Sequence, residues 1–491
     1  MHARTFVRDT LGTALGQYVA RLAVLLRGVV AAAALGPLGY GAWNALNLLL
    51  DYGSYASCGA LQGLDLDLPP AAARDDRARA GRLMAGAWAV VVLGVLLFAL
   101  VVAAYLATGA RPIAAPWGWG AAALMLVAVF LQLAIQYHAG SLRAHGEFQR
   151  VSASLAAQAV LGGGLGVALV ARFSVWGLLW GWIVGSLAAL VWLRGGPLRP
   201  PLVPGGLRNG FSLAWLGLPV FGFFVGSLVL RSVDRLAFVR YAGTEGLGLY
   251  SLGLMAVGLI LYLPEAAATV LYPRMSAAAQ GARDPERTHD EVRRTHRALA
   301  VVLPPVVAVG IVWAAPVINW VLPAFNEGVP ALRWLALGAL MLSAATLPGY
   351  FVLASGPRPA LLAMVAGMAL VTAALVFGVA SRDHRPASIA LAAAAGYGGF
   401  ALGLVVLAAR GLYATVPQRL GFALASFVPA LWAGALALAV CASVGAGSGG
   451  APVLLSCAVV VAYLPVLWWF GRGVGLGRLA RGWLAGRTAG T

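Results

Sequence analysis

The feature that most constrains the fold is a succession of long apolar segments. About fourteen stretches of roughly 18 to 25 residues, rich in Leu, Ala, Val and Gly, follow one another along the chain. Each is long enough to cross hydrocarbon about 30 Å thick as an α-helix. The period-two alternation that a membrane β-barrel needs is absent from the sequence. The sequence therefore predicts an all-α polytopic membrane protein with about 14 transmembrane helices.

Composition agrees with this fold class. The chain is 61% hydrophobic and only 10% charged, whereas charged residues make up about a quarter of an average soluble domain. The longest connections between predicted spans are only about 20 to 25 residues, too short for a separate domain. Any chemistry must therefore lie within the helix bundle.

The arginines predict the orientation. All 34 basic residues are arginine, and positive charge in short loops marks the cytoplasmic side of a membrane protein. With the N-terminus inside, about 24 arginines fall on that side and about six on the other, so both termini are predicted to be cytoplasmic. The net charge of +18 suits anionic membrane lipids as partners better than nucleic acid, because the arginines sit in short loops.

An internal repeat indicates how the chain is organised. A GxxGxG-x-aromatic pattern at Gly36 to Trp43 returns 207 residues later at Gly243 to Tyr250, and a weaker echo links Gly146 to Gly356 at an offset of 210. Chance recurrence in a chain with 63 glycines is the alternative interpretation.

The repeat predicts two parallel six-helix lobes around a central cavity. On this interpretation residues 1–205 form the N-terminal lobe and residues 206–412 form the C-terminal lobe. Residues 413–491 add two further transmembrane helices and a basic cytoplasmic tail.

Polar residues form a stripe along the second predicted span. Its members recur at steps of three, four and seven residues and would share one helix face: Tyr40, Asn44, Asn47, Asp51, Tyr55 and Gln62. A carboxylate and two amides are costly in hydrocarbon, so this face should line a cavity or a helix contact. The amides suit sugar hydroxyls and Asp51 suits a coupling proton or sodium ion; a helix-to-helix hydrogen-bond network is the alternative.

Three intramembrane arginines are candidate anion ligands. Arg21 and Arg27 lie in the first span and Arg333 lies early in the tenth. An arginine at bilayer depth costs at least about 2.5 to 3.5 kcal/mol and needs a partner or water, and its fork of donors suits phosphate. The alternatives are an ion pair between Arg21 and Asp51, and snorkelling of Arg27 and Arg333 to an interface.

Further cavity candidates fall on other spans. Gln17 shares the helix face of Arg21, and Gln132 and Gln136 are spaced i,i+4 on the fourth span. Arg231 and Asp234 form a further candidate pair, although at i,i+3 they can simply neutralise each other. Tyr262 and Glu265 are the candidates of the eighth span.

Several chemistries are excluded or unsupported. Without lysine there is no Walker-type phosphate loop and no Schiff-base lysine. The six histidines lack metal-ligand spacing, so no metal site is predicted. We assign no catalytic residue and expect a protein that is not an enzyme and has no cofactor, with proton or sodium coupling as an option.

At this point three sequence elements resemble a known family. The Gly36 to Trp43 turn, the Arg231-Ser-Val-Asp234-Arg235-Leu236 element and the Gly243 to Tyr250 turn are similar to Wzx-type polysaccharide flippases of the multidrug/oligosaccharidyl-lipid/polysaccharide (MOP) superfamily. The resemblance implies a bacterial inner-membrane flippase. It would carry undecaprenyl-pyrophosphate-linked oligosaccharide from the cytoplasmic to the periplasmic leaflet by alternating access.

The implied pathway is biosynthesis of a cell-surface polysaccharide such as O-antigen or exopolysaccharide, with the polymerase and glycosyltransferases of that pathway as partners. Arg21, Arg27 and Arg333 would then hold the pyrophosphate. Candidates for contact with the sugar or the cavity wall are Gln17, Asn44, Asn47, Gln132, Gln136 and Tyr262. Coupling or inter-lobe ion pairs would involve Asp51, Arg231, Asp234 and Glu265.

Four other functions stay open at this level. A lipid II flippase has the same architecture, as does an exporter of small cationic drugs, although the intramembrane charge here is mainly basic. A membrane-embedded polymerase or glycosyltransferase acts on the same lipid-linked sugars but usually needs a substantial outward loop, and the outward loops here are short. A purely structural partner in a synthesis complex is the last option.

Overall fold

The structure, a computed structural model, describes residues 3–108, 118–193, 206–443 and 451–472, with side chains from residue 23 in the first range and from residue 452 in the last. All of the described secondary structure is helical. The α-helices in chain order are α1 (Ala3–Gly53), α2 (Ala60–Ala73), α3 (Arg77–Ala107), α4 (Gly118–Ala144), α5 (Phe148–Phe173), α6 (Val175–Leu193), α7 (Gly206–Leu230), α8 (Val233–Ala237), α9 (Gly243–Ala279), α10 (Pro285–Val321), α11 (Val329–Ser355), α12 (Arg358–Ala380), α13 (Pro386–Leu412), α14 (Val416–Ser443) and α15 (Ala451–Gly471). A π-helical turn, Phe238–Ala242, precedes α9, and a 3-10 turn, Pro323–Gly328, precedes α11.

The predicted fold class is confirmed. Thirteen stretches of the described chain are long and apolar enough to cross a membrane. One of them, in α1, contains a kink at Gly36, where φ is 65° and ψ is 179°. This backbone conformation is essentially restricted to glycine. Pro37 follows, and its fixed φ and missing N–H suit the first position of a new helix, so α1 supplies two spans.

The second predicted span is not one continuous helix. Residues 54–59 form turns between α1 and α2, with positive φ at Cys58 (48°) and Gly59 (93°). The polar stripe therefore divides, with Tyr55 in the turn and Gln62 in α2. The prediction of a single polar face was wrong at this point. A close approach of α7 accounts for the break, since a Cβ at Gly59 would lie 2.9 Å from the Ala214 carbonyl oxygen.

The first compact unit of the chain comprises residues 1–248. In it, α5 packs on α6 and α1, while α7 packs on α2 and α3. The α2–α7 contact is so close that a Cβ at Gly63 would lie 2.0 Å from the Leu213 carbonyl oxygen, and one at Gly217 would lie 2.1 Å from the Gly59 carbonyl oxygen. These contacts place α7 with the first unit, so the unit ends later than the repeat boundary at 205/206, which stays a prediction.

The second compact unit comprises residues 249–491. Helices α10, α11, α14 and α15 enclose an apolar core that includes Ile311, Leu340 and Tyr463. The Tyr463 hydroxyl donates a hydrogen bond of 2.8 Å to the Val301 carbonyl, which satisfies the one polar atom of a fully buried ring. The last two helices are thus an integral part of the packing of this unit.

The stronger of the two repeats is also present in the backbone. Gly243 has φ 78° and ψ −178°, nearly the same conformation as Gly36, and each precedes a helix. The weaker echo repeats in position, since Gly146 and Gly356 each lie between two helices, but not in conformation, since φ is 80° at Gly146 and −91° at Gly356. The GxxGxG turn is therefore the repeat that shares a backbone conformation.

Candidate functional site

The two copies of the glycine motif contact each other reciprocally within the first unit. A Cβ at Gly41 would lie 1.7 Å from the Thr244 carbonyl oxygen, and one at Gly248 would lie 1.7 Å from the Pro37 carbonyl oxygen. Gly41 and Gly248 hold equivalent places in the two copies, as do Pro37 and Thr244. Such a contact, in which position i meets j and position j meets i, is the signature of two-fold symmetry. The motif is thus built for close backbone approach between repeats.

Arg27 lies against two tryptophan rings. Its guanidinium carbon is 5.7 Å from the centroid of Trp43 and 4.9 Å from that of Trp182. The first ring stands seven residues after the kink in the same helix, and the second comes from α6. Neither ion-pair nor hydrogen-bond partners of Arg27 are found among the described side chains. An aromatic face stabilises a cation without accepting its N–H bonds, so donors of Arg27 remain for an oxyanion.

A hydrogen-bonded cluster joins α4, α5 and α6 in the same unit. The side-chain amide of Gln158 donates to the Gln132 carbonyl oxygen and to the Ser186 hydroxyl, both at 3.0 Å. Ser186 is fully buried and lies one turn from Trp182 on α6, so this cluster neighbours the Arg27 contact. Gln132 therefore serves a contact between helices, while Gln136, one turn further along α4, is half-buried.

Asp51 is held by a residue from the second sequence repeat. Its carboxylate is 2.8 Å from the Arg235 guanidinium, with side-chain exposures of 37% for Asp51 and 12% for Arg235. Next to it, the Tyr52 hydroxyl and the Ser232 hydroxyl are 2.7 Å apart. Asp234 is fully buried and accepts a 2.7 Å hydrogen bond from the Arg235 backbone N–H. A polar junction therefore connects the end of α1 to the bend between α7 and α8.

The remaining predicted residues of this unit are placed as follows. Asn44 and Asn47 are half-buried, and each side-chain amide donates at 2.9 Å to the carbonyl four residues earlier, of Tyr40 and Trp43. Their carbonyl oxygens stay available for hydroxyl donors. Arg231 does not belong to α7, which ends at Leu230, and its Nε donates to the Ser227 carbonyl at 3.3 Å. Gln17 and Arg21 lie on the backbone of α1, but their side chains are outside the described ones.

In the second unit the predicted residues lie on two helices. Tyr262 and Glu265 are half-buried on α9. Arg333 stands in the first turns of α11, with a buried Nε that has no hydrogen-bond partner among the described residues. This donor can bind water or an anion, which would offset the cost of leaving a buried polar atom unpaired.

Sequence reasoning missed the partners that organise these residues. Trp182, Gln158 and Ser186 lie on spans without a predicted site residue, and Arg235 directly follows the predicted residue Asp234. A polar Gln158 in the apolar fifth span was the one available local signal. The other three become meaningful only through contacts distant in sequence.

Part of the chain matches a known protein family. Residues 82–325 match the family model described as "Polysaccharide biosynthesis protein". None of the curated protein sequences matches the chain at a significant level.

Among solved structures, the chain is similar to the lipid II flippase MurJ in an inward closed conformation, with a TM-score of 0.70 at 12% identity over 94% of this chain and 99% of that one. It is similar to a multidrug resistance MATE transporter of the MOP superfamily in an inward-facing conformation, with a TM-score of 0.58 at 15% identity over 83% of this chain and 95% of that one. A MOP superfamily transporter from Pyrococcus furiosus gives a TM-score of 0.52 at 17% identity over 85% and 95%. The chain thus has the fold of these transporters, and residues 82–325 within it match a polysaccharide biosynthesis family.

Proposed function

We propose that this protein is a flippase that carries undecaprenyl-pyrophosphate-linked oligosaccharide from the cytoplasmic to the periplasmic leaflet by alternating access. The product would serve the biosynthesis of a cell-surface polysaccharide in a bacterium. The protein would lie in the cytoplasmic membrane with both termini cytoplasmic, and the polymerase and glycosyltransferases of the pathway would act beside it. The match of residues 82–325 to a polysaccharide biosynthesis family supports this choice within the MOP fold.

The observation that carries the proposal is the state of two intramembrane arginines. Arg27 contacts aromatic faces, and Arg333 has a buried Nε without a hydrogen-bond partner among the described residues. No carboxylate of the described chain lies within ion-pair distance of either. Intramembrane cations are rare and commonly mark a ligand site or an ion pathway. Pyrophosphate is the anion of the proposed substrate, and the planar guanidinium binds it through several parallel donors.

Sugar hydroxyls would meet amides rather than charges. The carbonyl oxygens of Asn44 and Asn47 can accept from hydroxyl groups, because each amide nitrogen already donates to the helix backbone. Gln136 offers both functions, whereas Gln132 is engaged by Gln158. Tyr262 would supply a further hydroxyl. The ring and amide set is typical of neutral sugar recognition, and the arginines supply the charge recognition.

Asp51 is not free to bind a coupling ion in this structure. Its carboxylate is paired with Arg235 at 2.8 Å, so a proton or sodium ion could bind there only after this pair opens. We infer that the pair between Asp51 and Arg235 links the two sequence repeats and changes during transport. Asp234 and Glu265 remain the other candidate carboxylates for coupling.

The test measures the amount and sidedness of lipid-linked oligosaccharide in membranes of a host that lacks the protein. We expect accumulation on the cytoplasmic leaflet, with rescue by wild type but not by Arg27→Gln or Arg333→Gln. Arg410→Gln is the matched control, because Arg410 is exposed at the end of α13. Normal distribution without the protein, in a host without a redundant flippase, would refute transport of this substrate. Rescue by all three variants would keep the flippase and discard both arginines.

A lipid II flippase is the second candidate, favoured by the likeness to MurJ over 94% of this chain. It would use the same arginines on the same pyrophosphate. Expression in cells depleted of their lipid II flippase separates the two functions, since only a lipid II flippase restores growth. Resistance to cationic dyes, or extension of glycans by the purified protein, would instead point to drug export or to a polymerase.

A further inference from the structure

An open groove runs between α5 and α6, at the end of the pair where α5 begins and α6 ends. Its volume is about 1090 Å³, comparable with the upper range of small-molecule pockets. The lining residues include Glu147, Arg150, Ala153 and Ala157 at the start of α5, and Val191 and Trp192 at the end of α6. None of the predicted substrate residues is among them, so the groove is separate from the site described above.

Most of the groove is apolar. Ala153, Ala157 and Leu161 follow one another at i,i+4 along α5. The small alanine side chains form the depression between the helices, and exposed Val191 and Trp192 flank it from α6. Exposed apolar faces of membrane-spanning helices lie against lipid hydrocarbon, so the groove is open to acyl chains over this length.

The polar end of the groove carries one positive and one negative charge. The Arg150 guanidinium is 3.2 Å from the Glu147 carboxylate, with side-chain exposures of 29% and 47%. The Arg150 Nε also donates to the Trp192 carbonyl at 3.3 Å, which fixes the guanidinium at the mouth between the two helices. Gln149 adds an exposed amide beside them. In the described part of the chain, Glu147 and Arg150 are the charged residues that line the groove.

We propose that this groove binds one membrane phospholipid with a zwitterionic, primary-amine head group, of the phosphatidylethanolamine type. The phosphate would accept from Arg150, the ammonium would donate to Glu147, and the acyl chains would follow the apolar wall of α5 and α6. The choice of head group follows from the presence of one cation, Arg150, and one anion, Glu147, side by side at the mouth of the groove. An anionic head group would satisfy Arg150 but would bring its phosphate next to Glu147 without a compensating cation, which is unfavourable.

A quaternary ammonium head group fits less well. Glu147 can accept hydrogen bonds, and a choline group has no N–H to donate, whereas a primary ammonium donates up to three. One charge-assisted hydrogen bond is worth roughly 1.5 to 3 kcal/mol, which corresponds to roughly a tenfold or larger preference for the amine head group. This site does not depend on which molecule the protein transports.

The proposal is tested on the purified full-length protein by native mass spectrometry after incubation with an equimolar mixture of phosphatidylethanolamine, phosphatidylcholine and phosphatidylglycerol. We expect one tightly retained lipid, with the ethanolamine lipid favoured roughly tenfold over the other two. Glu147→Gln should remove the discrimination between ethanolamine and choline lipids, and Arg150→Gln should weaken retention of all three. Glu147 is exposed next to a turn, so its neutral variant leaves the helix packing intact.

A steric variant locates the site. Ala157→Trp fills the groove and should abolish the retained lipid, whereas Leu370→Trp, at an exposed position of α12, should leave it in place. Equal retention of ethanolamine and choline lipids, or a preference for the glycerol lipid, would overturn the proposed head group. Retention that survives Ala157→Trp, or no retained lipid in the wild type, would overturn the site.

Discussion

Gly248→Ala tests the reciprocal contact between the two glycine motifs. The added Cβ would lie 1.7 Å from the Pro37 carbonyl oxygen and 2.5 Å from its carbonyl carbon. Both are backbone atoms, which cannot rotate away as a flexible side chain would, so the helices must separate. Overpacking of this kind costs typically about 1 to 3 kcal/mol, and the upper end applies because backbone must move. Alanine regains about 1 kcal/mol of helix propensity over glycine.

The expected net loss is therefore about 2 kcal/mol, equivalent to a melting temperature lower by roughly 4 to 8 °C for a unit of this size. Thermal unfolding of the purified protein in detergent, followed by tryptophan fluorescence, measures it. Gly258→Ala in the same helix is the matched control, since no atom lies within 4 Å of its added Cβ. That variant should be neutral or slightly stabilised.

Symmetry makes the prediction sharper. Gly41→Ala meets the Thr244 carbonyl oxygen at the same 1.7 Å and should destabilise by a similar amount. The double variant should lose less than the sum of the two single losses, because one separation of the helices relieves both clashes. Equal melting temperatures for Gly248→Ala and Gly258→Ala would refute the contact. A neutral Gly41→Ala beside a damaging Gly248→Ala would refute the symmetry.

Three further predictions follow from named contacts. In a double-mutant cycle of unfolding, Asp51→Asn and Arg235→Gln should show a coupling free energy of about 1 kcal/mol. The exposed pair of Asp75 and Arg77 is the control and should show almost no coupling. Strictly additive effects of Asp51→Asn and Arg235→Gln would contradict the ion pair between these residues. Gln158→Leu removes two hydrogen bonds at 3.0 Å and should lower the free energy of unfolding by about 1 kcal/mol. Gln418→Leu, on the exposed surface of α14, is the control and should leave that free energy unchanged. An equal loss in both variants would mean that the hydrogen-bonded cluster of α4, α5 and α6 does not stabilise the protein. In the loop before α13, hydrogen bonds from the Ser388 hydroxyl (2.5 Å) and the Arg385 backbone N–H (3.0 Å) lower the pKa of Asp383. Because the folded pKa is below the unfolded value, the stabilisation is present above the unfolded pKa of about 3.9 and is lost as the pH falls through the folded pKa. The difference in melting temperature between wild type and Asp383→Asn should stay constant from about pH 8 to about pH 5 and shrink as the pH falls below about 4. A difference that is as large at about pH 3 as at about pH 7 would exclude the carboxylate as its source.

Sequence reasoning succeeded where local chemistry decides the structure. The kink at Gly36 could be predicted because a glycine followed by proline at the end of an apolar span favours a turn that starts a new helix. The same holds for Gly243, whose backbone repeats that conformation. The approximate number of spans follows from length and hydropathy alone.

Sequence reasoning failed where a helix that is distant in sequence determines the local structure or supplies the partner. The spacing of Tyr55 and Gln62 fits one helix face, yet the chain turns over residues 54–59 because α7 approaches Gly59 and Gly63. The pair between Asp51 and Arg235, 184 residues apart, could not be found from the sequence, whereas the alternative pair with Arg21 stays a prediction because the Arg21 side chain lies outside the described ones. A polar residue inside a membrane bundle indicates that it has a partner, but its own position in the sequence does not identify that partner.

The three glycines of the motif have three different roles, and this separates structure from function. The first adopts a positive φ, the second allows the helix to pass its own preceding turn, and the third permits backbone contact between repeats. All three roles concern backbone conformation and packing. The two copies then diverge at the positions around it. Nine residues before the first glycine stands Arg27 in one copy and Asp234 in the other, and Trp43, the aromatic at the end of the first copy, lies against the Arg27 guanidinium. The equivalent positions therefore carry opposite charges, and any difference in ligand recognition between the two repeats should be sought there rather than in the shared turn.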